Sequence, residues 1–209
     1  MTIVAGPRQV GKTTLVRQAN ENLESMFVSV DPSGQSAPYV AGLHTYDGGV
    51  YETEELEGSP RNAAWLIRAW QSARVRCHAH SLKTPDRPFV FVLDEIQKIP
   101  RWPDTVKGLW DADRAANLSM HVVLLGSSPL LIQKGLTESL TGRYELIRAS
   151  HWSFEEMHQA FDFTLNQYIY FGGYPGSAPL IYDEERWRNY VLNSLVQPSI
   201  DTDVLQMAR

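Results

Sequence analysis

Thr2-Ile3-Val4-Ala5-Gly6-Pro7-Arg8-Gln9-Val10-Gly11-Lys12-Thr13-Thr14 is the stretch that decides the fold. Four β-prone residues run straight into Gly6, and from Lys12 to Leu23 helix formers carry apolar positions at Leu15, Val16 and Ala19. The order is strand, loop, helix, and the loop has the spacing G-x-x-x-x-G-K-[ST]. The two glycines let the backbone wrap an anion without a Cβ in the way, so that amide N–H groups and the helix N-terminus turn toward phosphate oxygens. Lys12 adds a mobile cation for β and γ phosphates, Thr13 a hydroxyl suited to the oxygen shell of Mg²⁺, and Thr14 a further phosphate contact. Gly6, Pro7, Arg8, Gln9, Val10, Gly11, Lys12, Thr13 and Thr14 are therefore the expected nucleotide-binding residues, with Thr13 also a metal ligand.

Working outward, residues 89–93 (Phe-Val-Phe-Val-Leu) form an uninterrupted apolar run, the pattern of a parallel strand buried on both faces, and end in Asp94-Glu95. Asp94 is expected to hold Mg²⁺ opposite Thr13. Glu95 is expected to polarise a water for in-line attack on a γ phosphate, which favours hydrolysis over phosphoryl transfer to a small molecule. Residues 121–125 repeat the buried-strand pattern and end in Gly126-Ser127-Ser128, placing hydroxyls at the same sheet edge, where one of them would sense the γ phosphate. Arg143 follows Leu140-Thr141-Gly142 and precedes the last strand candidate. Read as the end of a helix, that position projects a guanidinium from the surface toward a neighbouring subunit's nucleotide.

Further strand candidates are residues 27–30 and 145–148, and strands alternating with helical patterns predict a mostly parallel sheet covered on both faces. Residues 31–60 are broken by Pro32, Gly34, Pro38, Gly42, Gly48, Gly49 and Gly58 and read as a long surface excursion. Beyond Ser153 the strand signal gives way to helical stretches at 154–161, 165–171 and 184–196 around a Gly172-Gly173-Tyr174-Pro175-Gly176 turn. The expected division is a nucleotide-binding core over residues 1–150 and a helical lid over 151–209. Both ends read as cut, as in a piece of a longer protein.

The chain has 209 residues, 43% of them hydrophobic and 21% charged, which suffices for a sizeable core. A net charge of −5 argues against a dedicated nucleic-acid binder. The single cysteine, Cys77, forms no intrachain disulfide and points to the cytoplasm. No apolar run approaches the ~20 residues that span a bilayer, so no membrane partner is expected. Cys77, His78 and His80 lack a matching second pair and read as a polar helix end rather than a zinc site. Trp65 and Trp70 read as core anchors.

With these residues in place the chain resembles the AAA-like ATPases of bacteria and archaea whose ATPase core precedes a C-terminal domain of unknown function. The carrying segments are the phosphate loop, Leu93-Asp-Glu-Ile-Gln97 with Ile99-Pro100-Arg101-Trp102, Leu125-Gly-Ser-Ser128, Ser139-Leu-Thr-Gly-Arg143 and Tyr170-Phe-Gly-Gly-Tyr-Pro175. The resemblance implies a P-loop NTPase of three layers, α/β/α, with a five-stranded parallel sheet in the order 5-1-4-3-2 and a small C-terminal helical lid. It implies ATP as the nucleotide, in keeping with the lack of an N-K-x-D guanine-reading motif, and it puts Arg143 where AAA arginine fingers lie. The expected function is ATP hydrolysis with Mg²⁺ that drives or regulates an attached domain or partner. The alternative is a slow nucleotide-dependent switch. A homo-oligomer, and a DNA or protein partner acting through the further domain, complete the expectation.

Overall fold

Among the described residues six strands form one sheet: β1 (Thr2–Ala5), β2 (Ser25–Ser29), β3 (Val40–Ala41), β4 (Phe89–Asp94), β5 (Met120–Gly126) and β6 (Glu145–Arg148), in the order β3-β2-β4-β5-β1-β6. The computed structural model describes residues 1–30, 40–41, 60–127, 139–198 and 200. β1, β2, β4, β5 and β6 pair in parallel, and counted alone in chain order they run 5-1-4-3-2, as the resemblance implies. The difference in detail is β3, a two-residue strand antiparallel to β2. It falls inside the stretch read as an excursion, most of which lies outside the described residues.

The layers follow from the two-residue period of β4. Phe89, Phe91 and Leu93 enter one apolar cluster and Val90 and Val92 the other, so both faces of the strand must be covered. Helices α2 (Ala63–Ser81) and α3 (Trp102–Ala115) cover the first face with Trp65, Leu66, Trp70, Trp102 and Val106. Helix α1 (Lys12–Ala19) covers the second with Val16. Trp65 and Trp70 are 1% and 0% exposed, the core anchors that their near-helical spacing suggested. Trp70 meets Phe91 edge-on with ring centroids 5.5 Å apart, the arrangement that aromatic quadrupoles favour. Its Nε1 donates to Asp113 Oδ2 at 2.7 Å while Arg74 Nε donates to Oδ1 at 2.6 Å, so this buried carboxylate has partners on both oxygens.

Local departures have local causes. Helix α1 stops at Ala19 rather than Leu23 because the Asn20 side chain turns back to donate to the Val16 carbonyl at 2.7 Å, competing with the helix ladder. β2 begins at Ser25, two residues before the apolar run, because Ser25 and Met26 pair with Val90 and Phe91. Cys77 and His80 lie buried at the end of α2, with His80 Nε2 3.0 Å from the Arg87 carbonyl.

After β6 the described residues form mainly helices: α4 (Phe154–Phe161), α5 (Leu165–Phe171), a 3₁₀ turn (Pro175–Leu180) and α6 (Glu184–Tyr190). Capping boxes start α4 at Ser153 with Glu156 and α5 at Thr164 with Gln167, satisfying backbone donors that a helix start leaves orphaned. The stretch read as one helix over 184–196 changes character at Val191, where six residues, Val191–Val196, adopt π-helical pairing. Met157, Phe163 and Ala178 form a cluster of their own, separate from the two against the sheet. Among the described residues no helix is long and apolar enough to cross a membrane.

Candidate active site

Because β4, β5 and β1 are parallel neighbours, their C-terminal ends reach one edge of the sheet together. Val4 lies opposite Leu125 and Leu93 opposite Leu124. The loop after β1, the acids that end β4 and the serine after β5 therefore converge. They line a cavity of about 410 Å³ together with Ser194 and Pro198 from the C-terminal segment.

The loop holds the shape its spacing requires. Gly11 has φ +88°, a left-handed conformation that side chains resist, and a Cβ on Gly6 would collide with the Ala149 carbonyl. Lys12 is 7% exposed, and its Nζ donates to the carbonyls of Gly6 at 2.9 Å and Pro7 at 2.6 Å, which places the ammonium inside the loop. Arg8, Gln9 and Thr14 line the cavity, and the Arg8 Nε is buried with no hydrogen-bond partner among the described residues. Val10 is buried, and its carbonyl accepts from Trp152 Nε1 at 3.0 Å.

Thr13 Oγ1 donates to Asp94 Oδ2 at 2.8 Å, bridging 81 residues of sequence. Burial pushes the Asp94 carboxyl above its ordinary range. The bond from Thr13 opposes that rise, and the charge of Glu95 adds to it. A hard divalent cation takes oxygen ligands, and a hydroxyl and a carboxylate side by side at the phosphate loop suit Mg²⁺. Among the described residues no cluster of three or more His, Cys, Asp or Glu side chains could hold an ion.

Glu95 follows in a left-handed conformation, φ 60° and ψ 38°, at a backbone cost of about 1–2 kcal/mol. Its Oε2 accepts from Ser127 Oγ at 2.8 Å and from Gln97 Nε2 at 2.6 Å. Ser127 is 3% exposed and lines the cavity, and Ser128 lies outside the described residues.

Arg143 stands apart. It sits in a turn rather than at the end of a helix: its N–H donates to the Leu140 carbonyl at 3.0 Å, and Gly142 takes φ +77°. The guanidinium forks onto Asp111 of α3, Nε to Oδ1 at 2.8 Å and Nη2 to Oδ2 at 3.0 Å. It precedes β6 while the phosphate loop follows the neighbouring parallel β1, so roughly a strand length, ~13 Å, separates it from its own chain's loop.

Sequence reasoning missed the contacts between the loop and the segment that follows β6. Besides Trp152 on Val10, Tyr190 Oη donates to Gln9 Oε1 across 181 residues. No local pattern marks such pairs. The motif residue Gln97 carries no role in the sequence reading, though its place two residues after Glu95 is the available signal. A cavity of about 470 Å³ at the opposite end of the strands, beside α1, is lined mainly by apolar side chains such as Val4, Leu15 and Val123, with Thr2, Asn20 and His121 among them.

A family model described as an AAA domain matches residues 1–158. No curated protein matches the chain. Among solved structures, the Walker-type ATPase of Pyrococcus abyssi is similar over 92% of this chain and 66% of that one, with 15% identity and a TM-score of 0.52. Cdc6p from Pyrobaculum aerophilum is similar over 76% of this chain and 41% of that one, with 15% identity and a TM-score of 0.44. At this identity the first likeness speaks for the fold, and this chain spans less than two thirds of either structure's length.

The raised Asp94 carboxyl has a sign that can be checked. A group whose pKa is higher folded than unfolded stabilises the fold below its unfolded pKa, and this contribution is lost as pH rises through the folded value. In chelator-containing, nucleotide-free buffer Asp94→Asn is therefore expected to melt above the parent at pH 8, with the gap closing below about pH 4. Thermal melts across that range check it, and a variant that melts below the parent at pH 8 contradicts it.

Proposed function

The chain belongs to the AAA-domain family of P-loop ATPases, and on that premise we propose that it hydrolyses ATP with Mg²⁺ to move the helices after residue 150 and whatever is attached to them. The observation that carries this reading is direct contact between the phosphate loop and the chain after residue 150, through Trp152, two residues ahead of α4, on the Val10 carbonyl, Tyr190 at the end of α6 on Gln9, and Ser194 and Pro198 at the cavity wall. A change in what the loop holds is felt by the helices without an intermediary. The division that goes with it is an ATPase core over 1–150 and a helical lid over 151–209.

In this reading the loop amides and Lys12 take the β and γ phosphates, exchanging the Gly6 and Pro7 carbonyls for charged acceptors. Arg8 lines the same cavity and adds a second cation. Thr13 and Asp94 would hold Mg²⁺, which supplies charge neutralisation at the phosphates. Glu95 orients a water whose oxygen bonds to the γ phosphorus as the bridging P–O bond to ADP breaks, the water's proton passing toward the carboxylate. Ser127, bonded to Glu95, is placed to sense the γ phosphate. Arg143, a strand length from its own loop, acts on a neighbour's ATP in a homo-oligomer, and leaving Asp111 is part of that step. A DNA or protein partner would act through a further domain. The single, buried Cys77 thiol supports a reducing cytoplasm.

Glu95→Gln is expected to bind ATP within about threefold of the parent and to lose roughly 10²–10⁴ of turnover. It should also hold the hydrogen-exchange protection of residues 184–198 in the ATP-bound pattern, distinct from that with ADP. Parental turnover, or identical exchange with ATP and ADP, would refute the proposal. Arg143→Ala is expected to keep ATP affinity and lose a factor of roughly 10³–10⁵ in rate. Mixing it with Glu95→Gln subunits should restore part of the activity, since each supplies what the other lacks. Activity within a few-fold of the parent, independent of protein concentration, would return Arg143 to a surface ion pair.

A further inference from the structure

We propose that Gln97 is the positioning residue for Glu95, aiming one carboxylate oxygen at the attacking water; this rests on the hydrolytic reading above. Gln97 opens no path to the nucleotide, since it stands outside the cavity lining, whereas Glu95 and Ser127 belong to it. It lies in a single 3₁₀ turn, Ile96–Lys98, anchored by Ile96, which is fully buried in the core. That turn fixes where its amide can point.

The donors are arranged asymmetrically. Gln97 Nε2 reaches Glu95 Oε2 at 2.6 Å and Ser127 Oγ at 3.2 Å, and Ser127 Oγ donates to the same Oε2 at 2.8 Å. Glu95 Oε1 accepts no hydrogen bond among the described residues. Two donors on one oxygen pin the rotation of the carboxylate and leave the other oxygen for water. A water held within a fraction of an ångström of its attack line reacts far faster than one that wanders.

The two donors are not equivalent once ATP is present. The Ser127 hydroxyl carries one proton, and a γ phosphate oxygen in the same cavity competes for it. Gln97 carries two amide protons and is shielded from the phosphate, so its bond to Glu95 persists when that of Ser127 is exchanged. The Gln97 Oε1 is buried and has no hydrogen-bond partner among the described residues. An orphaned buried acceptor costs stability. A position kept only for packing would shed it, whereas one kept to supply N–H to a carboxylate cannot. The left-handed backbone of Glu95 is a second cost at the same place, and both serve the same aim of the carboxylate.

The test uses Gln97→Met, which keeps length and bulk but removes the donors, and Gln97→Glu, which keeps length and sets a carboxylate against Glu95. Steady-state kinetics and MgATP calorimetry are run on both. The expected result is a kcat lower by about 10- to 100-fold in each, with KM and ATP affinity within about threefold of the parent. In single-turnover measurements Gln97→Met should add no further loss to Glu95→Gln, because there is no carboxylate left to aim. A kcat within twofold of the parent in either variant, a rise in KM at constant kcat, or full additivity with Glu95→Gln would overturn the proposal alone. Parental turnover in Glu95→Gln by itself would overturn the hydrolytic reading and this proposal with it.

Discussion

Parallel pairing of β1 with β5 and of β5 with β4 is the constraint on which the rest depends. These pairings bring the ends of three strands level, so residues from three distant parts of the chain meet at one edge. The apolar clusters on both faces hold that alignment. Shifting β4 by one residue would turn Phe89, Phe91 and Leu93 toward the face now filled by Val90 and Val92, and would also carry Asp94 away from Thr13. Stability of the core and geometry of the site are set by the same register.

Within that frame the charged groups are held in costly states that a nucleotide would relieve. Lys12 is buried against backbone carbonyls, neutral acceptors that offer it less than a phosphate would. Asp94 is buried next to Glu95, and its carboxyl resists ionisation. A cation at Thr13 and Asp94 and an anion in the loop would remove both penalties together. Binding of the two would therefore be coupled through the protein as well as through their own attraction.

The phosphate loop could be read in the sequence because its chemistry is local: the geometry follows from Gly6, Gly11, Lys12 and Thr13 at fixed spacing. The place of Asp94 and Glu95 at the sheet edge was legible for a related reason, since an uninterrupted apolar run that ends in two acids marks where a buried strand comes out. What connects the site across the fold was not legible. Ser127 and Glu95 are 32 residues apart, Trp152 and Val10 are 142 apart, and only the folded sheet makes them neighbours. Arg143 was placed at a helix end because the left-handed Gly142 turn is a backbone event that residue types announce weakly. The strand β3 was hidden because its two residues are too few to show a period.

The central claim is that this edge of the sheet is an ATP site in which Lys12 supplies the phosphate charge. Calorimetric titration of MgATP into the parent and into Lys12→Ala tests it most directly. The account predicts saturable binding to the parent and an affinity lower by about two orders of magnitude or more in the variant, since a charge-assisted bond to phosphate is lost with no other ammonium in the loop to replace it. Equal affinity in the two proteins would contradict it.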